Sequence, residues 1–143
     1  LALRMDLPLV IHTRDAAADT ISLLRKLKVR RAVIHCYSQT PEFAEAVLSV
    51  SSDIYFSFSA ILTYPKAAPV RNTARTVRLD RILIETDAPF LVPHSLRDRF
   101  KINEPAFVRH VLDELKALRP ESPDEVEGTV WENSNRFYGL PTA

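Results

Sequence analysis

Three side chains that can bind a metal or transfer a proton stand where apolar segments end: His12, His35 and Asp87. Each follows a different run of strand-forming residues, so their spacing along the chain does not by itself bring them together. The ends of parallel strands meet at one edge of a sheet or barrel, where catalytic groups collect. Two neutral imidazoles and a carboxylate suit a divalent metal with open positions for water and substrate. The pattern therefore predicts metal-assisted hydrolysis, with Asp87 accepting a proton from water.

Each of these residues also has an ordinary structural interpretation. A histidine at a strand end is more often a hydrogen-bonded structural residue than a ligand, and Asp87 alone could cap a turn. Glu85 could simply pair with a nearby arginine. Cys36, which follows His35, is more often a small buried thiol than a nucleophile. From the residues alone, the metal site and the structural interpretations are about equally supported.

The residues around these groups predict the elements that would position them. Four short segments are continuously apolar or alternate between apolar and polar residues, as buried strands do. Helical spacing of apolar residues follows the first two segments, and a less regular helix separates the third from the fourth. Repeated strand–helix units predict one parallel sheet with right-handed crossovers. The predicted strands are residues 7–15, 31–38, 53–60 and 81–86.

Two further helices are predicted after the fourth strand. One carries apolar residues on a single face of "EPAFVRHVLDELKAL", and the other opens with a capping box of Ser122 and Glu125. A proline-rich loop separates them from the strand, because Ala88 before Pro89 favours extended geometry. No internal linker or repeat interrupts the chain. We therefore expect residues 1–143 to form a single structural unit.

The composition is that of an ordinary globular domain. The chain has 143 residues, of which 46% are hydrophobic and 26% charged, and its formal net charge is +1. This balance lacks the strong basicity of a general nucleic-acid binder, although a local basic patch or a metal could serve instead. A single cysteine excludes an internal disulfide. No segment is long and apolar enough for a membrane span and no signal peptide is visible, so we expect a cytoplasmic location, or a nuclear one in a eukaryote.

Five strings of residues resemble the TatD-family deoxyribonucleases, in the order and at the spacing typical of that family. His-x-Arg-x-Ala, beginning at His12, and Glu-Thr-Asp-x-Pro, beginning at Glu85, are the specific elements. Asn-Glu-Pro, beginning at Asn103, supports them. The resemblance covers essentially the whole chain. The strings are "PLVIHTRDAAAD", "IHCYS", "ILIETDAPFLVP", "RFKINEPAFV" and "ENSNRFYGL".

The resemblance implies a metal-dependent hydrolase on a (β/α)8 TIM barrel, related to the amidohydrolases. The family is associated with Mg²⁺-dependent 3′–5′ exonuclease activity on DNA and with DNA repair. By this resemblance His12, His35 and Asp87 match metal ligands, and Asp87 is also the catalytic proton acceptor. Arg14 is expected to face the substrate phosphate, because a guanidinium suits its oxygens. Glu85 is expected to orient a metal-binding residue, or to have a structural role, and not to bind the metal itself.

The sequence also departs from the family pattern. The family opens with a His-x-His-x-Asp strand and has a metal-bridging glutamate on its fourth strand, and neither is present here. The resemblance therefore implies the C-terminal half of a barrel, with about four parallel strands and helices outside, belonging to a longer parent. A two-metal site would be incomplete in this chain. Gln39 and Phe100 replace glycines common in the family, in loops near the expected active-site face.

Half a barrel has consequences for partners and activity. Its open sheet would expose two edges and an inner face, so we expect the missing N-terminal half as a partner, with self-pairing of two halves as an alternative. We expect the parent to cleave phosphodiester bonds of DNA, at single strands or 3′ ends, and this chain alone to be weakly active or inactive. The expected cofactor is Mg²⁺, with Mn²⁺ or Zn²⁺ as alternatives.

Two other functions remain open at this stage. The parent could be an amidohydrolase-like enzyme on a non-nucleic substrate, because function depends on the site and not on the fold. The chain could also be a non-catalytic truncated product. Arg97, Arg99 and Lys101 lie near the expected active-site rim and favour a phosphate-bearing substrate, although such a cluster is ordinarily solvated surface.

Overall fold

The computed structural model describes residues 1–141 and contains one sheet of four parallel strands. The strands are β1 (Leu9–Ile11), β2 (Ala32–Ile34), β3 (Ile54–Phe58) and β4 (Ile82–Ile84). They lie side by side in chain order, and every neighbouring pair is parallel. The α/β class with about four parallel strands is therefore confirmed.

Helices connect the strands and cover one face of the sheet. Three of them join successive strands, and two follow β4. The last helix begins as its capping box predicts, since the Ser122 side chain accepts a hydrogen bond from the Glu125 N–H. No helix within residues 1–141 has the length and apolarity needed to cross a bilayer. The helices are α1 (Ala17–Lys26), α2 (Pro41–Leu48), α3 (Ala68–Thr76), α4 (Val108–Leu118) and α5 (Pro123–Tyr138).

The main core lies between the sheet and the helices. Ile34, Phe56 and Ile82 are in register on neighbouring strands, and all three side chains are fully buried. Val47 of α2 and Leu115 of α4 are among the helix residues that pack in the same cluster. Each such side chain contributes about 1.5–3 kcal/mol by its burial. The strands are thus fixed against the helices, and their C-terminal ends form a stable edge.

The opposite face of the sheet is partly covered by the end of α5. Val33, Tyr55 and Leu83 form a second buried cluster with Phe137, and the rings of Tyr55 and Phe137 are 5.3 Å apart. Val10, in register with Val33, stays exposed on the edge strand β1. The expectation of an open inner face is therefore wrong for β2, β3 and β4, because α5 brings an aromatic side chain onto it.

Arg119 closes the C-terminal end of α3, and we expect Arg119→Met to lower the free energy of unfolding by about 2–3 kcal/mol. Its Nη1 donates to the carbonyl oxygens of Ala74, Arg75 and Val77 at 2.8 to 3.0 Å. The rest of its guanidinium donates to Glu121, and the side chain is only 6% exposed. Methionine fills similar space but leaves these acceptors without a donor. Urea unfolding of the chain measures the loss.

Arg78→Met is the matched control for this variant. Arg78 also donates two hydrogen bonds to a carboxylate, that of Asp80, but the side chain of Arg78 is exposed. Exposed pairs contribute little, so we expect a change within about 0.5 kcal/mol. Equal losses in the two variants would contradict the role given to the buried contacts of Arg119.

Candidate metal site

Three groups that can bind a metal meet at the C-terminal edge of the sheet. His35 is the first residue after β2, while Glu85 and Asp87 follow the end of β4. One ligand atom from each residue lies within 4.8 Å of the other two. The strands that carry them are separated by β3. The convergence of parallel strand ends thus joins groups from two different units of the fold.

His35 lies between the two carboxylates of this cluster. Its Nδ1 is 2.7 Å from Oε1 of Glu85, and its Nε2 is 3.7 Å from Oδ1 of Asp87. The second distance is too long for a hydrogen bond, and Nε2 of His35 and the carboxylate of Asp87 would both be available to hold a divalent ion. A metal-binding histidine commonly has a carboxylate at its other ring nitrogen, which orients the ring. Asp87 thus lies near the ring nitrogen that would bind a metal, and Glu85 lies near the other ring nitrogen.

A buried carboxylate oxygen supports the fit of a cation. Within residues 1–141, Oε1 of Glu85 is buried and has no hydrogen-bond donor, because its short contact with His35 lacks hydrogen-bond geometry. A buried polar atom without a partner costs about 1–3 kcal/mol, and more when it is charged. A cation in the cluster would remove that cost. All three side chains remain partly exposed, so an ion can enter from solvent.

His12 lies beside the cluster but outside its closest group. The centroid of its ring is 5.6 Å from that of His35, so the structure brings His12, His35 and Asp87 to one place. The closest three groups, however, contain Glu85 and not His12. His12 follows the edge strand β1 directly and is exposed. Its role as a ligand stays a prediction.

Cys36 is at the same edge but is not poised as a nucleophile. Burial is the main cause that raises the pKa of its thiol to about 11, and the carboxylate of Asp87 adds to the rise. A hydrogen bond of 3.3 Å with Ser59 Oγ and the positive charge of Arg14 oppose it. The thiol is therefore protonated at neutral pH. Arg14 is the third residue after the end of β1 and is exposed, and its contact with a substrate stays a prediction.

Asn103 holds the loop that follows β4. Its Nδ2 donates to the carbonyl oxygens of Thr86, Phe90 and Leu91 at 2.7, 2.7 and 3.1 Å. Its backbone N–H donates to the carbonyl of Pro89 at 3.0 Å. The side chain is 3% exposed, so these bonds are shielded from water. One asparagine thus ties both ends of the turn that contains the catalytic candidate.

The turn needs this support because Asp87 adopts a left-handed backbone conformation, with a φ of 59°. Most residues with a Cβ pay about 1–2 kcal/mol for that conformation, although aspartate adopts it more readily than most. Such a conformation persists where surrounding contacts enforce it. The bonds from Asn103 supply such contacts. Sequence reasoning gave Asn103 no role of its own, and the available signal was an asparagine placed just before a Glu-Pro pair in a loop.

We expect Glu85→Gln to weaken divalent-metal binding about 10- to 100-fold. The amide keeps the size of the side chain but removes the negative charge beside His35. Calorimetric titration of the chain with Mn²⁺ measures the affinity. Glu132→Gln, on an exposed position of α5, is the control and should bind like the unmodified chain. An unchanged affinity in Glu85→Gln would remove Glu85 from the site.

The family profile described as "TatD related DNase" matches residues 1–139. The chain belongs to the TatD family. The uncharacterized metal-dependent hydrolase YcfH of Escherichia coli K12 is 38% identical to it over 135 residues, which are 93% of this chain and 49% of YcfH. The 3′-5′ ssDNA/RNA exonuclease TatD of Pantoea vagans is 29% identical over 144 residues, which are 98% of this chain and 55% of that relative.

A solved structure agrees with the TatD assignment. The crystal structure of YJJV, a TatD homolog from E. coli K12, matches with a TM-score of 0.85 at 26% identity, over 98% of this chain and 53% of YJJV. The chain spans about half the length of the curated TatD relatives it matches. Four parallel strands are half of the eight in a TIM barrel. The predicted family and the predicted half-barrel are both confirmed.

Proposed function

We propose that this chain supplies part of the active site of a metal-dependent phosphodiesterase that removes nucleotides from the 3′ ends of single-stranded DNA. The observation that carries the proposal is the cluster of His35, Glu85 and Asp87, with its buried carboxylate oxygen that lacks a donor within residues 1–141. The name of the P. vagans relative, which includes both ssDNA and RNA, supports a nucleic-acid substrate.

The residues at the sheet edge would hold a divalent ion, for which we propose Mg²⁺, with Mn²⁺ and Zn²⁺ as alternatives. His35 Nε2 and the carboxylate of Asp87 are the proposed ligands, and His12 approaches from β1. The carboxylate of Glu85 lies 2.7 Å from Nδ1 of His35 and adds negative charge beside the proposed ion. Such an ion polarises a phosphoryl oxygen and lowers the pKa of bound water.

The side chains around the cluster transfer the proton, position the loop and bind the phosphate. Asp87 accepts the proton of the attacking water, and Asn103 keeps its carboxylate at the sheet edge. Arg14 pairs with non-bridging oxygens of the phosphate, because a guanidinium offers two parallel donors to them. This division explains why a buried asparagine holds the loop on which the proton acceptor lies.

The chain alone is proposed to be weakly active or inactive. Among residues 1–141, no strand pairs with the outer side of the edge strand β1. A groove of about 260 Å³ along it is lined by Leu9, Ile11, His12 and Leu23, among other residues. A strand added at this edge would pack next to His12 and could complete its ligand set. The other half of a TatD barrel is the partner we propose, with a second copy of this chain as the alternative.

A second candidate function is hydrolysis of a non-nucleic ester by the same cluster. The segment after the loop of Asp87 favours the phosphodiesterase instead. Arg97, Arg99 and Lys101 are all exposed there, with only Asp98 between them to offset their charge. A phosphate-rich substrate gains from this charge, whereas a neutral ester does not.

The test is the release of nucleotides from a 3′-labelled single-stranded DNA in the presence of Mg²⁺. We compare this chain with the completed barrel, which means this chain joined to the part of YcfH that it does not match. We expect release by the completed barrel only, dependent on metal and absent in its His35→Gln variant. RNA of the same sequence and p-nitrophenyl acetate are parallel substrates. Hydrolysis of the ester without any release from DNA or RNA would favour the second candidate.

A further inference from the structure

We propose that the groove next to the metal site binds an unpaired base of a single-stranded nucleic acid, with Phe90 and Phe100 as its stacking surfaces. This inference rests on the proposed function and assigns contacts beyond the scissile phosphate. The groove has a volume of about 550 Å³, within the rough range of small-ligand sites. Tyr64, Phe90, Leu91, Arg97, Phe100 and Lys101 line most of it.

The groove and the metal site share one turn of the backbone. The N–H of Phe90 donates to the carbonyl of Asp87 at 2.9 Å, and the carbonyl of Phe90 accepts a hydrogen bond from Asn103 at 2.7 Å. The same contacts therefore fix the proton acceptor and the aromatic residue. Because Phe90 is three residues after Asp87 in this turn, we expect the nucleotide next to the scissile phosphate to reach the groove.

Two aromatic rings are presented to this groove. Phe90 is 68% exposed and Phe100 36% exposed. Phe100 is fixed by an edge-to-face contact with Phe107, at 4.9 Å between ring centroids. Isolated exposed apolar residues are common, but two in one groove beside a metal site are a binding surface. Aromatic side chains of this kind stack on bases with little preference for sequence.

The charges around the rings identify the ligand as an anion that carries bases. Residues 97–101 contain three cations and one anion. The guanidinium of Arg97 lies 5.6 Å from the ring centroid of Tyr64, and that ring is held by a 3.0 Å hydrogen bond from its hydroxyl to the carbonyl of Val92. Aromatic surfaces interleaved with cations match the alternating bases and phosphates of a single strand. An apolar peptide would gain nothing from these cations.

The test measures binding without turnover. The chain is titrated against a fluorescently labelled 12-nucleotide thymidine strand in EDTA, and fluorescence anisotropy reports the affinity. A strand of the same length with abasic sites keeps the phosphates and removes the bases. We expect the base-bearing strand to bind about 10-fold more tightly, which is the gain in affinity expected from stacking one base. Phe90→Ala and Phe100→Ala should each reduce this preference, and Phe90→Trp should keep it.

Trp131→Ala is the matched control, because Trp131 is an exposed aromatic residue on α5. This variant should bind the base-bearing strand and the abasic strand as the unmodified chain does. Arg97→Gln should weaken the binding of both strands by the same factor. The slope of log affinity against log salt concentration should become shallower by about 0.7. Equal affinity for the two strands, no effect of Phe90→Ala, or no binding at low salt would each overturn the proposal. Because EDTA prevents metal-dependent cleavage, such a failure is distinct from a failure of the nuclease assay.

Discussion

Replacing Asp87 with asparagine is expected to slow metal-dependent nucleotide release by the completed barrel about 1,000-fold. The amide has nearly the same size, but it cannot accept the proton of the attacking water. The substitution also removes the negative charge of the Asp87 carboxylate, whose Oδ1 lies 3.7 Å from His35 Nε2. Because the proton moves only during the reaction, we expect the loss at saturating metal to be in kcat and not in the KM for DNA. Single-turnover release from a 3′-labelled strand measures it.

Asp113→Asn makes the same chemical change at an exposed position of α4 and serves as the control. We expect its rate to stay within about twofold of the unmodified barrel. A normal rate in the Asp87→Asn variant, with metal binding intact, would exclude Asp87 as the proton acceptor.

Asn103→Ala is expected to have the second large effect, on stability and on activity together. The variant leaves the carbonyls of Thr86, Phe90 and Leu91 without their shared donor in a buried loop. We expect the free energy of unfolding to fall by about 3 kcal/mol. With the turn released, Asp87 leaves its left-handed conformation, and we expect kcat to fall about 100-fold. Urea unfolding and single-turnover rates measure the two effects.

The two effects of Asn103→Ala separate a positioning role from a purely structural one. At a temperature where the variant is fully folded, a structural role would leave kcat unchanged, whereas a positioning role lowers kcat with little change in KM. Asn72→Ala, at an exposed position of α3, should change neither quantity measurably. A normal kcat in folded Asn103→Ala would show that the loop keeps its shape without this side chain.

The meeting of His35 and Asp87 could be predicted from the sequence because it depends only on topology. Each residue follows an apolar run, and the helical spacing between the runs requires parallel strands whose ends share an edge. The place of Glu85 in the closest group could not be predicted in the same way. It depends on side-chain directions after β4 ends, where Asp87 turns into the left-handed region, which aspartate tolerates but does not require.

The covered inner face shows a second limit of the sequence. Alternation in β3 indicates which residues share a face, but it does not indicate what packs on that face. Tyr55 is buried by Phe137, from a helix far along the chain. The capping box predicts where α5 begins, but the docking position of the helix depends on packing of the whole fold. Asn133 fixes that position by donating to the carbonyls of Leu79 and Ile82.

Mn²⁺ titration of this chain tests most directly whether His35 and Asp87, with Glu85 beside them, hold a divalent ion. Electron paramagnetic resonance of the free ion gives the number and affinity of bound ions. We expect about one ion per chain, with binding lost in the double variant His35→Gln, Asp87→Asn. Equal stoichiometry and affinity in the double variant, with its fold intact by circular dichroism, would contradict it.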